Sequence, residues 1–169
     1  MINVKWGDAK AFCDWLSQKT AHSINLPTEA QWEKAARGTS QIRYPWGNTA
    51  PNCSKVNYSG CAGQTNTVGA NPLGASYYGV QEMAGNVAEW CLDIFDREYY
   101  SISPYYNPVN ATPNNPQGPM NYVIRGGSWE SQPYDIRCTK RNSGRYSWGS
   151  NNINDAKSST VGFRIVIER

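Results

Sequence analysis

The chain has 169 residues, a length that suits one domain, and a formal net charge of +3. Leu, Ile and Val together number only 23, whereas there are 7 Trp, 11 Tyr, 3 Phe and 17 Asn, a composition that argues against a helical bundle, a doubly wound α/β fold and a disordered chain. The small net charge does not resemble a nucleic-acid-binding footprint, and no apolar run approaches the length of a membrane span.

The N-terminal residues predict a short strand followed by a helix. The strand is expected at residues 2–4, where apolar and polar residues alternate. In the helix, apolar residues recur at the spacing of one buried stripe, and Asp8 favours the helix start through the helix dipole. The residues of the stripe are Ala9, Phe12, Cys13 and Leu16.

A second helix is predicted between Thr28 and Gly38. Thr28 and Gln31 form a capping box, in which each side chain satisfies a backbone N–H at the helix start. Trp32 and Ala36 share one face of this helix with Ala35, and Gly38 ends it.

The rest of the chain predicts long loops and a few strands. Gly, Pro, Asn and Ser interrupt residues 39–79, and a second loop-rich region covers residues 97–121. Strand-like runs lie at residues 122–125 and 162–167. Because no repeat or linker is visible, we expect one domain over residues 1–169.

Histidine and cysteine chemistry has little support. The single histidine, His22, lies in a polar stretch and is expected in a surface loop. Cys53 and Cys61 flank a polar loop, and whether they form a local disulfide stays open. Cys13 and Cys91 are interpreted as small buried hydrophobic residues.

The order of several motifs resembles the formylglycine-generating enzyme (sulfatase-modifying factor) family. This resemblance implies an α+β domain, a variant of the C-type lectin fold, with two helices, a twisted antiparallel sheet and long loops. It also implies that the first and last strands pair. The family's usual N-terminal segment is absent, as expected of a minimal version or a fragment. The matching motifs lie at residues 3–6, 11–16, 26–38, 44–47, 78–90, 125–129 and 162–164.

The resemblance does not extend to the family's copper site. That site uses two cysteines shortly after the Gly-Gly-Ser-aromatic motif, but Ser131 stands where the first would be and no cysteine follows before Cys138. A hydroxyl cannot replace a thiolate as a soft ligand for Cu(I). We therefore expect no copper and no oxidase activity.

A calcium site is implied by the resemblance at the loop before Trp90. Its ligands would be the side chains of Glu82 and Glu89 and the carbonyl oxygens of Gly85 and Val87. Hard oxygen donors of this kind suit Ca²⁺. The alternative is that Glu89 only accepts hydrogen bonds from the loop backbone.

Residues 129–160 predict a contact surface. Tyr, Ser, Gly and Asn make up 14 of these 32 residues, a bias typical of antibody paratopes. The segment also resembles the variable region of proteins diversified by retroelements, which display such regions on lectin-like folds. An ordinary polar surface loop is the alternative. Arg137, Arg141 and Arg164 are expected to be framework residues that pair with carboxylates or carbonyls.

The sequence therefore predicts a non-catalytic ligand-binding domain that displays a diversified surface, as a retroelement-type variable protein does. It would act outside the cell, as an adhesin or a phage or virus receptor-binding protein would. Its partner would be a protein or a cell-surface glycan. The alternatives are a divergent oxidoreductase, an accessory part of a larger enzyme, and a purely structural module. The expected contact residues are Trp129, Ser131, Tyr134, Asp135, Thr139, Asn142, Ser143, Arg145, Tyr146, Ser147, Trp148, Asn151, Asn152 and Asn154.

Overall fold

The computed structural model describes residues 1–112, 120–146 and 158–168, with the side chains of residues 145 and 146 left aside. Three helices and six strands are found in these ranges. In chain order they are α1 (Trp6–Thr20), β1 (Ser23–Asn25), α2 (Glu29–Arg37), β2 (Ala88–Ile94), α3 (Tyr99–Ile102), β3 (Met120–Arg125), β4 (Asn142–Tyr146), β5 (Val161–Phe163) and β6 (Val166–Glu168). Within the described ranges, no helix is both long and apolar enough to cross a membrane.

Helix α1 forms as its apolar stripe predicts, and Ala9 and Cys13 are fully buried. The Asp8 carboxylate accepts the backbone N–H of Lys5 at 3.1 Å, which supports the helix start. The strand predicted at residues 2–4 is wrong. Asn3 has a left-handed backbone with φ of +60°, which is incompatible with an extended strand.

Helix α2 has the predicted boundaries. Thr28 Oγ1 accepts the backbone N–H of Gln31, and the Gln31 side chain accepts the N–H of Thr28, which completes the capping box. Gly38 follows the last turn with φ of +62°, a conformation that favours glycine. Trp32 and Ala36 are buried, as their shared face predicts.

The main sheet has the strand order β4-β3-β2-β5 and is mixed. Strands β2, β3 and β4 pair antiparallel, whereas β2 and β5 pair parallel, with Glu89 opposite Gly162. The predicted strand at residues 162–167 is wrong as a single element, because its two halves pair with different strands. The second half, β6, pairs antiparallel with β1, and Ile24 lies opposite Ile167. The first and last strands therefore pair, as the family resemblance implies.

Successive residues of β2 and β3 point to opposite faces of the sheet. Trp90 and Ile124 pack with Cys13 of α1 on one face, whereas Cys91 and Val123 pack with α2 on the other. The sheet thus lies between two hydrophobic clusters. Helix α2 packs against the central strands β2 and β3, and β3 ends directly before Gly126.

The loop-rich middle is held by a disulfide and by aromatic side chains. Cys53 and Cys61 are bonded, whereas the remaining cysteines Cys13, Cys91 and Cys138 are buried thiols. The Trp46 ring stacks on Tyr44 with centroids 5.1 Å apart. These contacts explain how long loops with few regular elements stay ordered. His22 is exposed at the turn after α1, as predicted.

Candidate functional site

A tight turn at Gly126 and Gly127 begins the segment that carries most of the predicted contacts. Both glycines have positive φ, +89° and +68°, and a Cβ atom on Gly127 would lie 2.9 Å from Ile136 Cγ2. Ser131 Oγ accepts the backbone N–H of Ser128 at 2.9 Å and so closes the turn. Backbone conformation and hydrogen bonding together fix where the following residues emerge.

Tyr134 projects from this fixed turn, and its side chain is 58% exposed. The Arg137 guanidinium lies 3.8 Å from the centre of the ring, and its Nε donates to the Tyr134 carbonyl at 3.1 Å. Lys140 Nζ lies 4.9 Å from the same ring centre and 3.5 Å from the carboxylate of Asp135. These contacts hold the exposed ring in one orientation.

The other predicted contact residues that the structure describes differ in how exposed they are. Thr139 and Ser143 are exposed, whereas Trp129, Ser131, Asp135 and Asn142 are half-buried. Five of the predicted contact residues lie outside the part of the chain that the structure describes. For two more, only the backbone is described, and it belongs to β4. The five are Ser147, Trp148, Asn151, Asn152 and Asn154, and the two are Arg145 and Tyr146.

Trp129 and Ser131 are half-buried and stabilise the turn that begins at Gly126. The Trp129 backbone N–H donates to the carbonyl of Asn86 at 3.0 Å. Its indole Nε1 is buried and has no hydrogen-bond partner among the described residues. Ser131 uses its hydroxyl within the turn. Tyr134, Thr139 and Ser143 are therefore the more accessible members of the predicted set.

Arg141 and Arg164 are framework residues, as predicted. Arg141 pairs with both carboxylate oxygens of Glu29, at 2.7 and 2.8 Å. Burial alone would lower the pKa of Arg141, but hydrogen bonding and charge attraction to Glu29 raise it overall. The guanidinium stays charged and holds the start of β4 against α2.

Arg125 was not singled out from the sequence, although it lies at the centre of a buried ionic network. Its guanidinium is fully buried, pairs with Glu33, and lies 3.3 Å from Glu29. Its Nη2 also donates to the Cys138 carbonyl at 2.6 Å. The sequence did contain one indication of a buried cationic partner. Glu29 and Glu33 lie one helical turn apart beside the buried face of α2, where their carboxylates need a positive charge.

Of the predicted calcium ligands, the Glu89 carboxylate pairs with the guanidinium of Arg164. The Glu82 carboxylate instead accepts the backbone N–H of Gly69 at 3.2 Å. Arg164 Nε and Nη2 donate to the two Glu89 oxygens at 2.5 and 2.7 Å, and Nη2 also donates to the Glu82 carbonyl at 3.2 Å. The indole Nε1 of Trp32 donates to Glu89 at 2.7 Å. Among the described residues, no group of three or more His, Cys, Asp and Glu side chains is placed to hold a metal ion. Calcium binding stays a prediction.

The residues around the turn do not fit the copper of the related enzymes. Ser131 offers a hydroxyl that already closes the turn, and Cys138 is buried behind it. Burial raises the pKa of the Cys138 thiol to about 12, although Arg125 partly opposes the rise. Cys138 is the only cysteine that follows this turn in the sequence, so the pair of thiolates that suits Cu(I) is not present there.

The chain is similar in sequence to parts of proteins that are named as different kinds of enzyme. It is 36% identical to the serine/threonine-protein kinase pkn1 of Chlamydia pneumoniae, covering 97% of this chain and 23% of the kinase. It is 33% identical to the formylglycine-generating enzyme of Thermomonospora curvata, covering 97% of this chain and 54% of the enzyme. The chain thus spans between about a quarter and about half of the length of these relatives.

Solved structures and a family model agree on the fold. PvdO from Pseudomonas aeruginosa matches with a TM-score of 0.75 and 26% identity, over 99% of this chain and 61% of that chain. Treponema denticola variable protein 1 matches with a TM-score of 0.71 and 23% identity, over 98% of this chain and 69% of that chain. The model of the sulfatase-modifying factor enzyme 1-like domain matches residues 1–169. The chain therefore belongs to the sulfatase-modifying factor enzyme 1-like, or formylglycine-generating enzyme-like, family.

Proposed function

We propose that this domain binds a ligand without catalysing a reaction, and that its contacts come from a diversified surface within residues 129–160. The observation that carries the proposal is the state of Ser131. Its hydroxyl occupies the position that the family resemblance assigns to a catalytic cysteine, and it closes the Gly-Gly-Ser turn. The Ser131 hydroxyl thus has a structural role, and the exposed side chains of the same segment are available to contact a ligand.

The proposal is supported by the way the contact residues are presented. Tyr134 is exposed but oriented by Arg137, and Thr139 and Ser143 are also exposed. An ordered aromatic ring supplies contact area at a low entropic cost, and small polar side chains supply adaptable hydrogen bonds. A ligand-binding loop on a rigid scaffold is a common arrangement for recognition.

The partner in this proposal is a protein or a cell-surface glycan, and the site of action is outside the cell, as for an adhesin or a receptor-binding protein. The disulfide between Cys53 and Cys61 supports an oxidising compartment, because such bonds are rare in reducing cytosol. Treponema denticola variable protein 1, at 23% identity, supports the scaffold alone.

The experiment that tests the proposal is sequencing of this locus in many independent isolates. We expect substitutions to concentrate at Tyr134, Thr139 and Ser143, with Gly127 and Arg141 unchanged as matched framework controls. A reverse transcriptase beside a near-repeat of the 129–160 coding segment would support diversification. Substitutions spread evenly over exposed positions of the whole chain would overturn the proposal.

A second candidate function is an oxidoreductase, or an accessory domain of a larger enzyme. The identity of 33% to the Thermomonospora curvata enzyme favours it. The match to less than a quarter of the pkn1 chain supports the accessory role. Detection of formylglycine on a sulfatase peptide after incubation with copper and this protein would establish the catalytic alternative, and oxygen uptake would measure its rate.

A further inference from the structure

We propose that a cleft beside the contact surface, lined by Arg37, Arg43 and Arg137, binds the oxyanion group of a ligand, that is, a phosphate or sulfate group. The cleft has a volume of about 560 Å³, and Thr39, Gln41 and Thr139 complete its polar lining. The inference rests on the proposed function in one respect, because Arg137 and Thr139 belong to residues 129–160. Arg37 and Arg43 lie outside that segment.

Backbone hydrogen bonds bring the arginines together from distant parts of the chain. The N–H of Cys138 donates to the carbonyl of Arg43 at 2.8 Å, which places Arg43 beside the turn that carries Arg137. The Cys138 carbonyl in turn accepts Arg125 Nη2 at 2.6 Å. Because Arg125 belongs to the buried ionic network, one wall of the cleft is anchored to the core.

The three guanidinium groups differ in how far their charge is already neutralised. Arg37 is clamped, since its Nε and Nη2 both donate to Glu33 and its Nη1 donates to the Ser40 carbonyl at 3.2 Å. Because Glu33 also pairs with Arg125, it compensates the charge of Arg37 only in part. The charges of the other two arginines are the least compensated of the three.

Arg43 and Arg137 have no carboxylate within 4.0 Å in the part of the chain that the structure describes. Arg137 uses Nε to hold the Tyr134 carbonyl, which leaves the Nη edge of its guanidinium available. The described residues that line the cleft include no acidic side chain. Two uncompensated positive charges therefore face one polar depression.

This donor set fits a phosphate or sulfate group. Guanidinium groups present planar forks of N–H donors that match the spacing of oxyanion oxygens. The hydroxyls of Thr39 and Thr139 add neutral donors at the rim. A volume of about 560 Å³ exceeds that of an oxyanion alone, so the cleft also has room for the group that carries it. The Tyr134 ring, which stacks on Arg137, lies next to that space.

The test is calorimetric titration of the whole chain with inorganic phosphate and, separately, with sodium sulfate, at constant ionic strength in chloride. The variants are Arg43→Ala and Arg137→Ala, with Arg97→Ala as the control, because Arg97 is exposed and lies outside the cleft. We expect saturable binding by the unmodified protein and by R97A, and affinity weakened about tenfold or more in R43A and R137A.

Arg43 is exposed, and the hydrogen bonds described for it use only its backbone, so R43A is expected to fold normally. Arg137→Lys keeps the charge against Tyr134 but removes the fork, and it should weaken anion affinity in the same direction. Absence of saturable binding by the unmodified protein, or equal affinities in R43A and R97A, would overturn the inference. Because the probe is the anion alone, this result is separate from the diversity test of the proposed function.

Discussion

Arg164 and Glu89 form a two-point ion pair across the parallel strand pairing of β2 and β5, with N–O distances of 2.5 and 2.7 Å. Burial alone would lower the pKa of Arg164, but its charge attraction and hydrogen bonding to Glu89 raise it. The guanidinium also donates to the carbonyls of Gln81 and Glu82 at 3.1 and 3.2 Å. A cation of the protein itself thus pairs with Glu89, one of the residues that the sequence assigns to calcium.

This arrangement predicts how the melting temperature responds to calcium. We expect a chelator to leave the melting temperature of the unmodified protein unchanged, since Arg164 already compensates Glu89. In Arg164→Gln the oxygens lose this cation, so added Ca²⁺ should raise the melting temperature of that variant. Differential scanning calorimetry measures both effects. A chelator-induced drop in the unmodified protein would favour the calcium site and count against the Arg164 arrangement.

The buried network predicts that Arg125 is important for stability. Arg125→Met should lower the free energy of unfolding by about 3–5 kcal/mol, because Glu29 and Glu33 lose a buried partner for their charges. Urea denaturation measures the loss, with exposed Arg97→Ala as the control. A loss similar to that of R97A would show that water or other groups compensate the two carboxylates.

Much of the scaffold could be predicted from local patterns. The α2 capping box at Thr28 and Gln31, the stripe of α1 and the burial of Cys13 depend on residues close in sequence, so periodicity is enough to find them. The strand at residues 2–4 failed because a single left-handed residue, Asn3, outweighs a weak alternation. The short pattern contained no signal for that conformation.

The site was harder to predict because its contacts join distant residues. Arg125 pairs with Glu33, which is 92 residues away in the sequence, and Arg164 pairs with Glu89, which is 75 residues away. Residue type indicated that Arg164 would be paired, but it gave neither the partner of Arg164 nor the buried role of Arg125. The cleft depends on the hydrogen bond between Cys138 and Arg43, which no local spacing reveals. Tertiary pairing therefore decides which predicted polar residues stay available for a ligand.

The turn before the contact surface predicts a specific packing cost at Gly127. Gly127→Ala should destabilise the protein by about 1–3 kcal/mol more than Gly63→Ala. The reason is that the methyl group added at position 127 would be too close to neighbouring atoms, whereas the one at position 63 would not. Both glycines have φ of +68°, so the backbone strain is matched. A Cβ on Gly127 would lie 2.9 Å from Ile136, whereas nothing lies within 4 Å of one on Gly63. Equal unfolding free energies would show that the turn relaxes freely.

The disulfide predicts a redox-dependent stability. Replacing Cys53 and Cys61 by serine should cost roughly 2.5 kcal/mol, the chain-entropy value for a loop closed over a separation of 8 residues. Thermal unfolding with and without a reducing agent supplies the control, since reduction should lower the melting temperature of the unmodified protein but not of the double variant. Identical melting curves in all four conditions would mean that the loop is held by its other contacts.

The three remaining cysteines are expected to be unreactive thiols, in contrast to the copper-binding cysteines of the related enzymes. Burial raises the pKa of Cys13 and of Cys91, and it raises that of Cys138 to about 12. At pH 8 these groups are thiols, and the thiolate is the reactive form. We expect Ellman's reagent to label none of the 3 free cysteines in the native protein and all of them in guanidinium chloride. Rapid labelling of the native protein would reveal an accessible thiolate and would reopen the catalytic alternative.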